Sequence, residues 1–446
     1  MWQPFFMLIK TMTAVIIISA VTVILMIASV LIKPNIEIKG KSISIYWMIV
    51  LVGALVLMIS GLVPFGEAFR GMTADTSINP IKILVLFLSM SMMSIFLDEV
   101  GLFRFLASYT LGKAKSSQKM MFIYLYVVVS VLTVFTSNDI IILTFTPFIC
   151  YFAKNAKIDP VPYLFAEFVA ANTWSMMFII GNPTNVYLAT TNGISFARYF
   201  LVMCIPTIMG GVAAFLVLFL LFRKKLEKPI EAKVENVRIE NKVLLIMGVT
   251  HLAVCTILLV LSSYIGTEMW LVTLIFAMSL FLLVLVYQFF SKIRNGELNR
   301  SFLRIPWELI PFVLSMFVIV LALDKYGVTD ALADLLENGP AVWVYGAASF
   351  LSANLVNNIP MSVLFCSVIG NAPSASMIPA TYAAVIGSNL GAILTPIGAL
   401  AGIMWSAILK KHEVKFSFLD FVKYGVIISI PTLFFTLLGL TFTAPR

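Results

Sequence analysis

Charge is what this chain has least of. Asp, Glu, Lys and Arg make up 11% of its 446 residues, against roughly 25% in soluble domains, so an ordinary soluble globule is excluded. It also lacks a long polar block. The longest polar stretch runs from about Arg223 to Lys242, which excludes a single membrane anchor carrying a soluble domain. Cysteine is scarce, and the four present (Cys150, Cys204, Cys255 and Cys366) sit scattered in apolar surroundings with no CxxC pair. They read as small hydrophobes, not as a disulfide framework. Histidine occurs twice, at His251 and His412, and no HExxH, GxSxG or P-loop pattern is present. With no nucleophile beside a base and no metal cluster, the chain is not expected to be an enzyme or to hold a metal or cofactor.

Apolar sequence is what there is. Hydrophobic residues make up 61% of the chain, in runs of about 20 that recur along its length, the mark of an all-α polytopic membrane protein. The net charge of +9 then reads as basic loops held on the cytoplasmic side, not as a nucleic-acid surface. The first apolar run, Thr11 to Ile32, is long enough to span, so no cleavable signal peptide is expected. Candidate spans are 11–32, 45–63, 80–97, 162–190, 196–222, 243–263, 268–290, 306–323, 376–409 and 422–442. Two further stretches, about 120–153 and 341–370, carry polar tips between half-length apolar arms and read as re-entrant hairpins. Segments 99–113 and 328–338 read as short amphipathic helices at the interface.

The two halves repeat. Pro80 matches Pro306, Leu88-Ser89-Met90 matches Leu314-Ser315-Met316, Asp98 matches Asp324 and Gly101 matches Gly327, all at an offset of 226 residues. Repeat one covers 1–222, a cytoplasmic linker 223–242, and repeat two 243–446. Five crossings per half is an odd number, so the second half enters from the opposite face, and the repeat is inverted. Ten crossing helices and two hairpins place 24 of the 30 basic residues on one side and Lys10, Arg70, Lys82, Arg198, Lys325 and Arg446 on the other. The rich side is cytoplasmic by the positive-inside rule, with both termini outside.

Polar residues at membrane depth mark the candidate site. The first tip is Thr136-Ser137-Asn138-Asp139 and the second Asn357-Asn358-Ile359-Pro360. Free backbone N–H groups at each returning helix carry partial positive charge, Ser137 and Asn138 can cap that end or face an ion, and Asp139 is acidic at depth. The 162–190 span is broken by Gly181-Asn182-Pro183-Thr184-Asn185, and the 376–409 span by Thr395-Pro396-Ile397-Gly398. Pro and Gly there free backbone groups for a ligand; a plain proline kink is the simpler reading of either break alone, and the pairing of the two breaks argues against it. Asn172 and Asn389 lie in the same two helices and are expected to line the path. Glu167 reads equally as a paired or interfacial residue and as a coupling group. Paired hairpins and paired breaks suggest a secondary transporter with its site between them. Channel activity without a coupling gradient is the weaker alternative.

At Ser137-Asn138-Asp139, Asn357-Asn358-Ile359-Pro360, Leu394-Thr395-Pro396-Ile397-Gly398-Ala399-Leu400 with Trp405, and Pro306-Trp307 leading into Phe317-Val318, the sequence resembles the ArsB-type arsenite and antimonite efflux permeases. These belong to the ion transporter superfamily, with sodium-coupled dicarboxylate carriers and sodium/proton antiporters. The resemblance covers essentially the whole chain. It implies a dimerising scaffold, a transport subdomain moving as an elevator, and arsenite or antimonite efflux across the plasma (inner) membrane coupled to H+ or Na+. It is compatible with a soluble ATPase partner on the cytoplasmic loops. A small-anion or dicarboxylate permease, or a sodium/proton antiporter, is the alternative. The chain departs from these families in two ways. It lacks the paired Ser-Asn-Thr motifs of the dicarboxylate carriers, and it has Asn172 and Asn389 where arsenite permeases carry acidic residues.

Overall fold

The protein is described by a computed structural model covering residues 3–32, 35–38, 41–75, 79–113, 117–227, 238–262, 264–291 and 296–445. It is almost wholly helical. The first half comprises α1 (Gln3–Ile32), α2 (Tyr46–Ile59), α3 (Phe65–Thr73), α4 (Pro80–Glu99), α5 (Leu102–Lys113), α6 (Gln118–Phe135), α7 (Asn138–Ala156), α8 (Val161–Trp174), α9 (Pro183–Thr191) and α10 (Phe196–Phe222). The second comprises α11 (Lys242–Leu261), α12 (Met269–Ser291), α13 (Glu297–Arg304), α14 (Leu309–Lys325), α15 (Val328–Leu336), α16 (Ala341–Val356), α17 (Asn358–Gly370), α18 (Ser374–Leu394), α19 (Leu400–Lys411) and α20 (Phe418–Thr443). Among the described residues the halves contribute ten α-helices each, in the same order of long, short, hairpin and broken elements. Hairpins α6–α7 and α16–α17 and broken helices α8–α9 and α18–α19 fall where the polar tips and the Gly/Pro breaks lie.

Local sequence sets the ends. Asn79 caps α4, its Oδ1 accepting from the Ile81 and Lys82 N–H groups at 2.9 and 3.1 Å, with Pro80 at the first helical position. Pro306 holds Ile305 extended (ψ 135°), so α14 starts at Leu309 and not at 306. Gly61 at φ +75° followed by Pro64 ends α2 at Ile59, short of the expected 63. Among the described residues nine helices are long and apolar enough to cross a membrane. Eight of these fall on spans expected from the sequence and the ninth is α6, the first arm of the expected hairpin; the short α2 and the divided α8–α9 fall on the other two expected spans.

Four elements lie where only loops were expected. Asn35–Ile38 and Lys41–Ser44 pair antiparallel as β1 and β2, and the short helices α3 and α13 precede the third crossing of each half. Residues 228–237 of the connector expected over 223–242, and part of the basic-loop pattern, fall outside the described residues.

The helices pack as two groups. One contains α1, α2, α4, α11, α12 and α14; the other contains α6 to α10 and α16 to α20. Within the second group α18 lies against α16 and α20, α10 against α20, and α8 against α6, α7 and α10. Gly387 of α18 lets the α16 backbone approach closely, since a Cβ there would collide with Ser349 and Gly346. Helices α4 and α14 of the first group meet α9 and α17 of the second along one seam, with α5 and α15 bridging the groups.

Candidate functional site

Each polar tip is anchored to a broken helix. At the first, Thr136 and Ser137 are extended and Ser137 caps α7 by position, its side chain making no cap hydrogen bond. The Ser137 hydroxyl lies 3.5 Å from Asn138 Oδ1. Asn138 Nδ2 donates to Asn172 Oδ1 of α8 at 3.1 Å, tying the tip to the first broken helix. At the second, Asn357 has φ +73° and ψ 153°, a region almost reserved for glycine and a reservoir of strain. It is held there by its own amide, which donates to the Ile397 carbonyl at 3.1 Å and accepts from the Ile359 N–H at 3.4 Å. The Asn358 N–H donates to the Gly398 carbonyl at 2.9 Å, so the tip grips the second break. Asn358 Oδ1 is buried without a partner among the described residues.

The breaks are built from the same chemistry. After α8 the chain passes through a turn of 3-10 helix, Ile179–Gly181, before Asn182 caps α9, its Oδ1 accepting from the Thr184 N–H at 3.1 Å, with Pro183 first in the helix. Gly181 is required by close approach, because a Cβ there would strike the Ser175 carbonyl. Asn185 Nδ2 donates to the Ser175 and Phe178 carbonyls at 2.8 and 3.2 Å, satisfying backbone freed by the break. In the second break, Thr395 is extended and its hydroxyl donates to Asn354 Oδ1 at 2.6 Å. The Asn354 amide in turn donates to the Gly391 and Phe350 carbonyls.

Asn389 joins the two broken helices. Its Oδ1 accepts from Ser175 Oγ and Asn182 Nδ2, each at 2.9 Å. Its Nδ2 donates to Asn185 Oδ1 at 2.7 Å and to the Val385 carbonyl at 2.8 Å. Asn172, Asn185 and Asn389 are fully buried. The expected path-lining pair is therefore placed in a satisfied internal network that fixes the breaks. Of the expected residues, Asn138, Asn172, Asn182, Asn185 and Asn389 share this network with Ser175, while Asn357, Asn358, Thr395 and Gly398 form a second with Asn354. Ser175 and Asn354 were not singled out from sequence, because a lone Ser or Asn in a helix carries no periodic signal.

Three cavities follow one another along α4 at the seam. The first, about 320 Å3, is reached by Ser137 and Asp139 of the hairpin and by Tyr46, Ser91, Arg304, Glu308 and Met404. The second is a void of about 20 Å3, room for about one water, lined by Pro183 and Thr184 and sharing Phe87, Leu309 and Ile359 with the first. The third, about 400 Å3, shares Ile83 with the second and lies at the far end among Lys82, Thr190, Ser195, Glu268 and Trp270. Here Lys82 is pinned by Asp75 at 2.5 Å and Glu268 at 2.7 Å, and its hydrogen bond holds the Asp75 carboxyl below the usual carboxylate range.

The charge lining the first cavity is mostly negative. Asp139 and Glu308 bring carboxylates. Arg304 Nη1 is engaged by Asp98 Oδ2 at 2.7 Å and Glu99 Oε1 at 2.6 Å, both acids being nearly buried. The cavity therefore offers acceptors and hydroxyls at a seam between two helix groups, and among the described residues no cluster of His, Cys, Asp or Glu could hold a metal ion.

Two helical repeats with paired hairpins and paired helix breaks, meeting at a polar seam, define a multi-pass secondary transporter. The chain belongs to the citrate transporter family, CitMHS, whose model matches residues 41–384. It is similar to the "Arsenical pump membrane protein" of Escherichia coli, 25% identical over 369 residues, covering 79% of this chain and 84% of that one. The protein of the same description from Yersinia enterocolitica is 25% identical over 371 residues, with the same coverage. A solved structure, the YdaH transporter of Alcanivorax borkumensis, shares the fold at a TM-score of 0.57 and 14% identity over 97% of this chain and 98% of that one.

Proposed function

We propose that this protein extrudes arsenite or antimonite across the plasma membrane. The α6–α10 and α16–α20 group would be the transport body, moving as an elevator against a scaffold of α1, α2, α4, α11, α12 and α14. The observation that carries the substrate reading is the charge of the first cavity. Its carboxylates, Asp139 and Glu308, are acceptors, its serine hydroxyls Ser91 and Ser137 can accept as well as donate, and its one guanidinium is engaged by two further acids. Arsenite at neutral pH is largely an uncharged trihydroxide, three donors that suit such a lining. A di- or tricarboxylate would meet like charge in a partly desolvated place, at a cost of several kcal/mol. The description of the arsenical pump relatives supports the same reading.

The first cavity reaches Ser44 and Arg304, on the side that the basic-residue asymmetry makes cytoplasmic. The conformation is then open to the cytoplasm, with both termini outside. Coupling is to H+ or Na+, the scaffold pairs two copies into a homodimer, and the cytoplasmic loops are where a soluble ATPase would dock. The citrate description of the family favours a second reading, a sodium- or proton-coupled small-anion or dicarboxylate permease.

The test is arsenite uptake into inside-out vesicles with and without a proton gradient, with Asn138→Ala as the blank. Gradient-driven accumulation that is lost in the variant is expected. No accumulation of arsenite, with citrate or succinate taken up alongside sodium, would establish the second reading instead.

A further inference from the structure

A second acid in the transport group lies apart from the seam. Glu167 of α8 is fully buried. Its carboxyl accepts from the Thr146 hydroxyl of α7, 3.2 Å from each oxygen, and near it lies the buried Trp405 of α19, whose indole N–H has no hydrogen-bond partner among the described residues. Around it are the rings of Phe165, Phe168, Trp405 and Phe421, packed at centroid distances of 5.3 to 6.1 Å for the pairs Phe165–Phe421, Phe168–Trp405 and Phe165–Trp405. Among the described residues no ion pair includes Glu167; a titratable group near it is the Cys150 thiol of α7.

Cys150 is also the floor of a separate cavity. It measures about 350 Å3, lies inside the transport group, and is rimmed by Lys154, Asp159, His412, Glu413 and Lys415, residues of loops on the basic, cytoplasmic side. Thr146 is one helical turn from Cys150 and seven residues from Asp139 on the same helix, roughly 10 Å along its axis. Helix α7 thus carries Asp139 at the seam cavity and, farther along, Thr146 and Cys150, the first bonded to Glu167 of α8 and the second lining the far cavity.

We infer that Glu167 is a proton-binding site of the transport group, loaded from the cytoplasmic side through the cavity above Cys150 and separate from the seam cavity. The proton arrives from cavity water on a carboxylate oxygen and leaves by the same route; no other bond changes. A hard metal cation needs a cage of oxygens, whereas Glu167 meets one hydroxyl and otherwise rings and a thiol, so the ligand is H+ and not Na+. Loading turns the carboxyl from acceptor only into a donor toward Thr146, which biases the seat of α7 and hence of the hairpin tip. As a coupling site it rests on the transport reading above.

The first measurement needs no substrate. Purified protein in liposomes is stepped from acid to alkaline pH and followed by infrared difference spectroscopy. The expected result is a protonated-carboxyl band that disappears on deprotonation, is absent in Glu167→Gln, persists in Asp139→Asn, and moves to higher frequency in Thr146→Val as its hydrogen bond is lost. The Thr146→Val shift keeps the assignment testable should Glu167→Gln fail to fold. A band unchanged in Glu167→Gln, or no titrating band in the wild type, overturns the inference. The second measurement is arsenite flux. One unit of pH gradient corresponds to about a tenfold accumulation per coupled proton, and Glu167→Gln is expected to lose that factor; an undiminished response overturns the coupling role. A wild type that carries no arsenite yet shows the Glu167 band refutes the functional proposal and leaves the proton site standing.

Discussion

Asn389→Ala isolates the device that holds the two broken helices together. The substitution removes four hydrogen bonds, but they do not count equally. Ser175 Oγ also donates to the Asn172 carbonyl at 3.0 Å, so it keeps a partner. The Val385 carbonyl sits in a helical ladder. Asn182 Nδ2 and Asn185 Oδ1 lose the partners that satisfy them and are left buried. An orphaned buried polar group costs about 1–3 kcal/mol, and polar pairs between membrane helices measure at the low end, near 0.6 and up to about 1.7 kcal/mol. Two orphans and a small void therefore cost about 2–4 kcal/mol. At roughly 2 °C per kcal/mol, the low end for domains, the melting temperature falls by about 4–8 °C. The assay is thermal unfolding of the purified protein in detergent, with Ser388→Ala as control. Ser388 is the adjacent residue and carries a buried hydroxyl that already lacks a partner, so its loss is close to neutral. An Asn389→Ala protein that melts with the wild type would refute the network as the link between the breaks.

Gly181→Ala drives a methyl into the Ser175 carbonyl and should abolish arsenite flux and lower the melting temperature more than Asn389→Ala; wild-type flux would show that the break tolerates a wider turn. Asp139→Asn removes a carboxylate from the first cavity while leaving the Asn138–Asn172 anchor in place. Initial uptake rates measured across pH and sodium concentration should change their dependence, and an unaltered profile would remove Asp139 from coupling.

Much of the fold was legible because a membrane protein writes its exceptions plainly. Ser137-Asn138-Asp139 and Asn357-Asn358 stand out in apolar runs because polar groups at depth are costly, and the Gly-Asn-Pro and Thr-Pro-Ile-Gly breaks announce themselves through Pro and Gly. The repeat offset placed the halves in correspondence before any helix was seen. What the isolated residues do was less legible. Asn172 and Asn389 share a type with Asn138 but spend their amides on protein partners, which spacing cannot reveal. Tyr46, Glu308 and Arg304 reach the hairpin cavity from helices remote in sequence, where each reads as a span-end residue. Strands β1 and β2, four residues each between basic residues, are too short to show an alternation above their loop. The Glu167–Thr146 contact depends on the angle between α7 and α8, which only packing sets.

The account turns on two helix groups moving past each other at the seam. Phe87 of α4 and Ile359 of α17 face the same void of about 20 Å3 from opposite groups. With the four native cysteines replaced, Phe87→Cys paired with Ile359→Cys can be bridged by a short thiol cross-linker. The measurement is gradient-driven arsenite uptake by the bridged protein against the same sample after release by a reductant. Uptake arrested by the bridge and restored by its cleavage is what relative movement predicts. A fully cross-linked protein that transports at the released rate would contradict it.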